Sequence, residues 1–178
     1  MNKIDIYETN LSIESTIVQY LFESNGEKKL IKAVQYSGFK TQTGLIMYNL
    51  GFGDYDFETK SISDNESSNN GDMRTVFNTV LNTVPKFFQD NPGFPIYVQG
   101  SDSSDLFEEE CRISCFKNCD EACKNRNRRI RIYTYFVNKH FAALSKEYLF
   151  FGYDEQKETF VEYVPQNNYI AVLVYKKK

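Results

Sequence analysis

The chain has 178 residues, a formal net charge of -3, 41% hydrophobic residues and 16% aromatic residues. This balance excludes a protein that binds nucleic acid through overall positive charge, and it provides enough apolar material for a sizeable core. No apolar run is long enough to span a membrane, and the N-terminus has no apolar signal region, so a soluble cytoplasmic protein is expected. Its four cysteines are then expected to be free thiols.

The first third of the sequence predicts three strands. Alternating residues favour strands over Ile17–Ser24 and Lys29–Tyr36, and Asn25-Gly26 between them is a strong signal for a hairpin turn. A third strand is predicted over Gly44–Phe52, whereas residues 1–15 are polar and are expected to be frayed or loosely packed at their start.

The stretch from Asn69 to Ser101 predicts the central helix and a strand after it. An apolar stripe at helical spacing marks the helix, with Asp72 placed to cap its first turn and Pro85 expected to kink it or end its regular part. The stripe consists of Met73, Val76, Phe77, Val80, Leu81, Val84 and Phe88. Asn70-Gly71 is turn chemistry, and Phe94–Val98 reads as a buried strand.

A cysteine repeat follows within Ser103–Asn127, which is predicted to be a helix capped by Ser103 or Ser104. Cysteines recur every four residues at Cys111, Cys115, Cys119 and Cys123. On one helix the first and last would be roughly 18 Å apart, so four thiols could not surround a single ion. We therefore interpret them as a packing face and predict no metal, although neighbouring pairs could each supply two ligands.

The rest of the chain predicts a second core helix and a final set of strands. Ile132, Tyr133 and Phe136 begin an apolar pattern that favours a helix over Arg128–Leu144, with His140 inside its apolar face and expected to be buried. Strands are predicted over 148–153, 159–164 and 169–176. The order of elements predicts an α+β fold with a largely antiparallel sheet of about six to seven strands, forming a single domain 1–178 with a helical insertion at residues 102–127.

One basic cluster is dense enough to suggest a binding site, and it comprises Lys124, Arg126, Arg128, Arg129 and Arg131. Guanidinium groups near Gly100-Ser101 could bind a phosphate or a carboxylate. The alternative is that the arginines neutralise Glu108, Glu109, Glu110 and Asp120.

Several short pieces resemble an uncharacterised family of small bacterial proteins, found mainly in Bacteroidota and described only as a domain of unknown function. They are Ile31–Tyr36, the run Tyr48–Asp54, Asn69–Asp72 with Val76 and Thr79-Val80, Gly100-Ser101, and Arg129-x-Arg131-Ile132-Tyr133. The resemblance covers about residues 20–176 and implies no known activity. In that family the last two pieces lie close together, which supports an insertion between them here.

The layout is also similar to that of the acetyl-CoA-dependent GNAT acyltransferases. That similarity implies cofactor binding by the loop Asn69–Asp72, with Tyr133 as the candidate acid, and acetyl-CoA as the cofactor. The expected ligand-binding residues are Asn70, Gly71, Gly100, Ser101, Arg129 and Arg131, and the expected partner is a small anionic ligand. The alternative is a non-catalytic interaction or regulatory module that uses the cysteine helix, with a homodimer as one arrangement.

Overall fold

The computed structural model describes residues 5–63, 70–115, 117, 119 and 123–178. These residues contain three helices and nine strands, and the chain divides into two compact units, Met1–Ile96 and Tyr97–Lys178. None of the helices in the described residues combines the length and apolar character needed to cross a membrane.

The first unit contains an antiparallel sheet whose strands follow chain order. The strands are β1 (Asn10–Glu14), β2 (Ile17–Asn25), β3 (Lys29–Lys40), β4 (Ile46–Asp56) and β5 (Ser61–Ser63). The predicted hairpin is confirmed, because Asn25 pairs with Lys29 across a short loop. Strand β1 was not predicted, but Leu11 faces Tyr20 in a regular ladder. Its side chains are largely exposed, including the apolar Leu11 and Ile13, as at the edge of a sheet.

Helix α1 (Met73–Asp90) packs on this sheet through aromatic and hydroxyl groups. The ring of Tyr36 stacks on Phe87 at 4.3 Å between centroids, and its hydroxyl lies 2.7 Å from the Thr83 hydroxyl. The predicted stripe is only partly right, because Met73 is 65% exposed whereas Thr83 and Phe87 are buried. Pro85 does not end the helix, since it removes a single donor and the buried aromatic residues beyond it keep the last turns packed.

The N-terminal segment 5–9 is tied to α1. The backbone N–H of Tyr7 donates to Thr79 Oγ1 at 2.8 Å, and its ring stacks on Phe22 at 5.6 Å. Asn78 donates to the carbonyl oxygen of Asp5 at 3.2 Å. These contacts order a stretch whose sequence has no apolar periodicity of its own.

The second unit combines two helices with the closing strands. Its elements are β6 (Ile96–Gln99), which begins at the boundary, α2 (Asp105–Ser114), α3 (Arg128–Glu147), β7 (Tyr148–Asp154), β8 (Thr159–Glu162) and β9 (Ala171–Lys176). Strand β7 pairs antiparallel with both β8 and β9. Phe141 of α3 contacts the rings of Phe150 and Tyr163, and the Tyr163 hydroxyl donates to Asn138 at 2.8 Å.

The predicted fold class is therefore confirmed as α+β with largely antiparallel pairing. The described residues form nine strands where six to seven were predicted, because the short strands β1 and β5 carry little sequence signal. The single domain with an insertion at residues 102–127 stays a prediction.

The inserted cysteine-rich helix is confirmed in outline, but it is shorter than predicted. Helix α2 begins at the predicted cap, where Ser104 Oγ accepts from the Phe107 N–H at 3.1 Å. It ends at Ser114, and Cys115 is extended with φ -74° and ψ 111°. Of the four cysteines, only Cys111 lies in the helix. A four-residue repeat of small side chains is compatible with one face of a helix. It is equally compatible with a chain whose turns bring the thiols together, so the repeat did not determine the length of the helix.

Candidate functional site

The start of α3 is fastened to the loop that follows β6. Asn127, the residue before the helix, is left-handed with φ 60° and makes no side-chain cap. Asp102 takes over this role, because its carboxylate accepts from the Arg129 N–H at 3.0 Å and its carbonyl oxygen accepts from the Asn127 N–H at 3.0 Å. The loop thus supplies a negative charge where the helix dipole favours one.

Gly100 is required at the base of this loop. A Cβ atom there would overlap the Asp102 carboxylate, and it would lie 2.9 Å from Ser103 Oγ and 3.2 Å from the Ile130 nitrogen. Asp102 Oδ1 and Ser103 Oγ are both buried and lack a hydrogen-bond partner in the described part of the chain. Polar atoms in this position are ordinarily bridged by buried water.

The arginines near this loop divide into two groups. Arg112 and Arg126 bind the Glu108 carboxylate at 2.9 and 3.0 Å, and the bond from Arg112 is the main reason why the pKa of Glu108 lies below its ordinary value. Two others, Arg128 and Arg131, contact neutral oxygens. Arg128 approaches Asn125 Oδ1 at 3.5 Å and Arg131 donates to the carbonyl oxygen of Arg126 at 2.7 Å.

Arg129 lies beside Ser101. Its Nη1 donates to Ser101 Oγ, which places the guanidinium group over the loop that begins at Gly100. Arg129 is half-buried, whereas Arg131 is exposed. Ser101 and Arg129 therefore meet near the start of α3, and Arg131 lies in the first turns of the same helix.

Two further predicted residues lie along α3. Tyr133 is half-buried. His140 is exposed, so the expectation of a buried core histidine is wrong. The apolar pattern around it suggested burial, but Ile130 and Thr134 are the positions of α3 that are buried.

The predicted loop residues Asn70 and Gly71 belong to the first unit. The Asn70 amide donates to the Lys28 carbonyl oxygen at 2.8 Å and to Ser24 Oγ at 3.0 Å, and its oxygen accepts from the Lys28 N–H at 3.1 Å. Asn70 therefore clamps the β2–β3 hairpin. Gly71 has φ +71°, which is consistent with the predicted turn. Asn69, the first residue of the predicted loop, lies outside the described residues.

Asp72 precedes α1 as predicted, but its carboxylate does not cap the helix. Oδ2 instead accepts from the Ser24 hydroxyl at 2.6 Å and the Tyr7 hydroxyl at 2.7 Å. Burial alone would raise the pKa of Asp72, but these two hydroxyls and the charge of Lys32 outweigh it and hold the pKa below its ordinary value.

Sequence reasoning missed a buried ion pair in the same unit. Lys32 Nζ lies 2.6 Å from Asp54 Oδ1, and the two side chains are only 9% and 14% exposed. The ammonium group also lies 5.8 Å from the centre of the Phe52 ring. The available signal was a lysine on a strand face that otherwise carries Leu30, Val34 and Tyr36.

The cysteine segment, residues 111–123, brings its four thiols close together. The sulfur atoms of Cys115 and Cys119 are 3.6 Å apart, and Cys111 interacts with the thiols of Cys115 and Cys123. The backbone N–H of Lys124 donates to Cys119 Sγ at 3.2 Å. Donation from the Lys117 backbone N–H, followed by the Cys119 thiol, holds the pKa of Cys115 below its ordinary value.

An apolar groove lies elsewhere in the second unit, against β7, β8 and β9. Leu149, Phe151, Phe160, Leu173 and Tyr175 line it, together with Lys176, Lys177 and Lys178. None of the predicted site residues is among them.

The sequence from residue 3 to residue 106 matches the profile of a protein family whose own function is unknown. This chain belongs to that family, DUF6934. The match contains Lys32, Asp54, Asn70 and Asp72 of the first unit, and also the loop at Gly100. It ends before the cysteine segment and before α3, so DUF6934 membership says nothing about the thiols or the arginines.

No curated protein and no solved structure matches the sequence. The layout similarity to GNAT acyltransferases, with acetyl-CoA as cofactor, therefore stays a prediction for this DUF6934 member.

Proposed function

We propose that this DUF6934 protein binds a phosphate-bearing or carboxylate-bearing small molecule at the start of α3, through Ser101, Arg129 and Arg131. The single observation that supports this most is how the cations are paired. Glu108 is already neutralised by Arg112 and Arg126. Arg131, in contrast, contacts a carbonyl oxygen. A guanidinium group paired with neutral oxygen retains its charge for an incoming anion.

The site would hold its ligand through side chains. Asp102 occupies the Arg129 N–H, so the backbone groups that usually bind a phosphate at a helix N-terminus are partly taken. Arg129 places a guanidinium group beside Ser101, and Arg131 adds a second positive charge on the same helix. Planar, bidentate donors suit phosphate and carboxylate groups alike.

Titration calorimetry with pyrophosphate, coenzyme A and ADP tests this proposal. We expect binding that weakens with added salt and that becomes about 10- to 100-fold weaker in Arg131→Ala, the loss expected for one charge-assisted hydrogen bond. Arg74→Ala is the matched control, because Arg74 is also an exposed arginine near the start of a long helix, α1. Equal loss in both variants, or no binding of any of the three compounds to the wild type, contradicts the proposal.

A second candidate function is self-association through α2, and one specific observation favours it. Leu106 is 69% exposed and Ile113 is 88% exposed, and residues seven apart lie on the same side of a helix. Two such helices from two copies of the chain could cover each other's apolar side chains. Light scattering across a concentration series should then show a dimer that Ile113→Ser abolishes. Met73→Ser, at an exposed position of α1, should have no effect.

A further inference from the structure

On a single straight helix, the first and last of the four thiols would be roughly 18 Å apart. In the structure the four thiols lie close together instead. Because α2 ends at Ser114, the chain after Cys115 is free to turn back. The Arg126 N–H closes one such turn on the carbonyl oxygen of Cys123 at 3.1 Å. The objection that one helix cannot surround a single ion therefore no longer applies.

The spacing of one pair of sulfur atoms fits an ion held by thiolates. A tetrahedral site with Zn–S bonds of about 2.3 Å has sulfur atoms about 3.8 Å apart, whereas a disulfide bond is about 2.05 Å long. The Cys115 and Cys119 sulfur atoms are 3.6 Å apart. Thiolates that each bind a different iron of a cluster would be spread more widely, so the spacing favours a mononuclear site.

Nitrogen donors point at the sulfur atoms. The Asn125 amide lies 3.3 Å from Cys111 Sγ and 3.8 Å from Cys115 Sγ, and the Lys124 N–H donates to Cys119 Sγ. A neutral thiol is a weak acceptor, whereas a thiolate is a strong one. Such second contacts are what orient and stabilise the ligands of a metal site.

Apart from the thiols, the described residues between α2 and α3 bury no apolar side chain. A metal centre would help to fix these described residues in place.

We propose that Cys111, Cys115, Cys119 and Cys123 bind one Zn²⁺ ion as four thiolates. Among the described residues, which include these four cysteines, no group of three or more His, Cys, Asp or Glu side chains could hold a metal ion as it stands. Binding therefore includes a closing movement, in which the outer sulfur atoms approach the Cys115–Cys119 pair. Each thiol loses its proton to solvent on binding, so zinc uptake releases protons.

The test uses the full chain, purified under reducing conditions and loaded with zinc alone. We expect about one zinc ion per chain, and X-ray absorption should show a shell of four sulfur atoms at about 2.3 Å. A shell of nitrogen and oxygen, or zinc that a weak chelator removes at once, would overturn the proposal. A chain that purifies with oxidised cysteines and takes up no zinc after reduction would overturn it too.

Variants sharpen the result. Cys119→Ser should weaken zinc affinity by more than about 100-fold, beyond the loss typical of an outer-shell partner. Lys117→Ser changes the same segment at an exposed side chain and should keep one zinc ion. If Cys119→Ser does not fold, the sulfur count on wild-type protein still decides the matter. Zinc binding is independent of the anion proposal, because calorimetry with pyrophosphate can be repeated on Cys119→Ser or on chelated protein.

Discussion

In the first unit, Asn70 and Asp72 have much of their hydrogen-bonding capacity taken by neighbours in the fold, whereas Arg128 and Arg131 in the second unit contact neutral oxygens. Both groups lie at the start of a long helix, the first just before α1 and the second in the first turns of α3. The first group holds a hairpin and the N-terminal segment in place. The second group keeps positive charge at the surface.

This difference separates a structural role from a binding role for residues that looked alike in the sequence. A side chain with three internal partners must give them up to bind a ligand, and each lost bond costs roughly 0.5–1.5 kcal/mol. A guanidinium group that contacts one neutral oxygen loses little free energy when it leaves that oxygen to bind a ligand. Substitutions in the first unit should therefore alter stability, and those at the start of α3 should alter binding.

The largest loss of stability should come from Lys32→Ala. This substitution leaves Asp54 without its partner in a largely buried place, and removing one member of such a pair costs about 3–5 kcal/mol. The free energy of unfolding, measured in urea, should fall by that amount. Lys29→Ala is the control, because the Lys29–Glu23 pair is exposed and should contribute less than about 1 kcal/mol. Similar losses in the two variants would contradict the buried pair.

Asp72→Asn should lower the free energy of unfolding by about 1–3 kcal/mol at pH 7, because a charged acceptor of two hydroxyl bonds is lost. The pKa of Asp72 is depressed in the folded protein, so its contribution is complete above the unfolded value of about 3.9 and disappears as the pH falls through the lower, folded value. Urea midpoints between pH 7 and pH 2 should therefore fall less steeply in Asp72→Asn than in the wild type. Parallel curves would exclude this role.

A more selective effect is expected from the pair Asn70→Ala and Ser101→Ala. Asn70→Ala removes the clamp on the β2–β3 hairpin and should cost about 1–3 kcal/mol of stability. It should leave pyrophosphate affinity unchanged. Ser101→Ala should change stability by less than about 0.5 kcal/mol, as at most surface positions, while weakening pyrophosphate binding. Loss of pyrophosphate affinity in Asn70→Ala, together with loss of stability in Ser101→Ala, would contradict the roles assigned to these two residues.

Much of the fold followed from local patterns. Turn chemistry at Asn25-Gly26 located the hairpin, and helical periodicity placed α1 and α3 to within a few residues. The sequence also suggested guanidinium groups near Gly100-Ser101, with pairing to the glutamates of the insertion as the alternative, because a loop end and a basic helix start are both visible in it. These features depend on neighbours in the chain or on charge.

What the sequence could not supply was tertiary pairing. Lys32 can be buried because its ammonium group pairs with Asp54 and lies over the ring of Phe52, both on the adjacent strand. His140 lies in an apolar pattern, yet packing buries Ile130 and Thr134 instead. The four-residue cysteine repeat is compatible with two structures, one continuous helix or a short helix followed by turns. The end of α2 at Ser114 shows that the second is formed.

The attachment of Tyr7 to Thr79 and Asp72 also constrains the order in which the chain folds. These contacts join residues 72 and 65 positions apart. During synthesis, strands β2 and β3 leave the ribosome and can pair at once, but Tyr7 has no partner until α1 has been made. The N-terminal segment is thus among the last parts of its unit to become fixed, and the closure of this long loop belongs to a late step of folding.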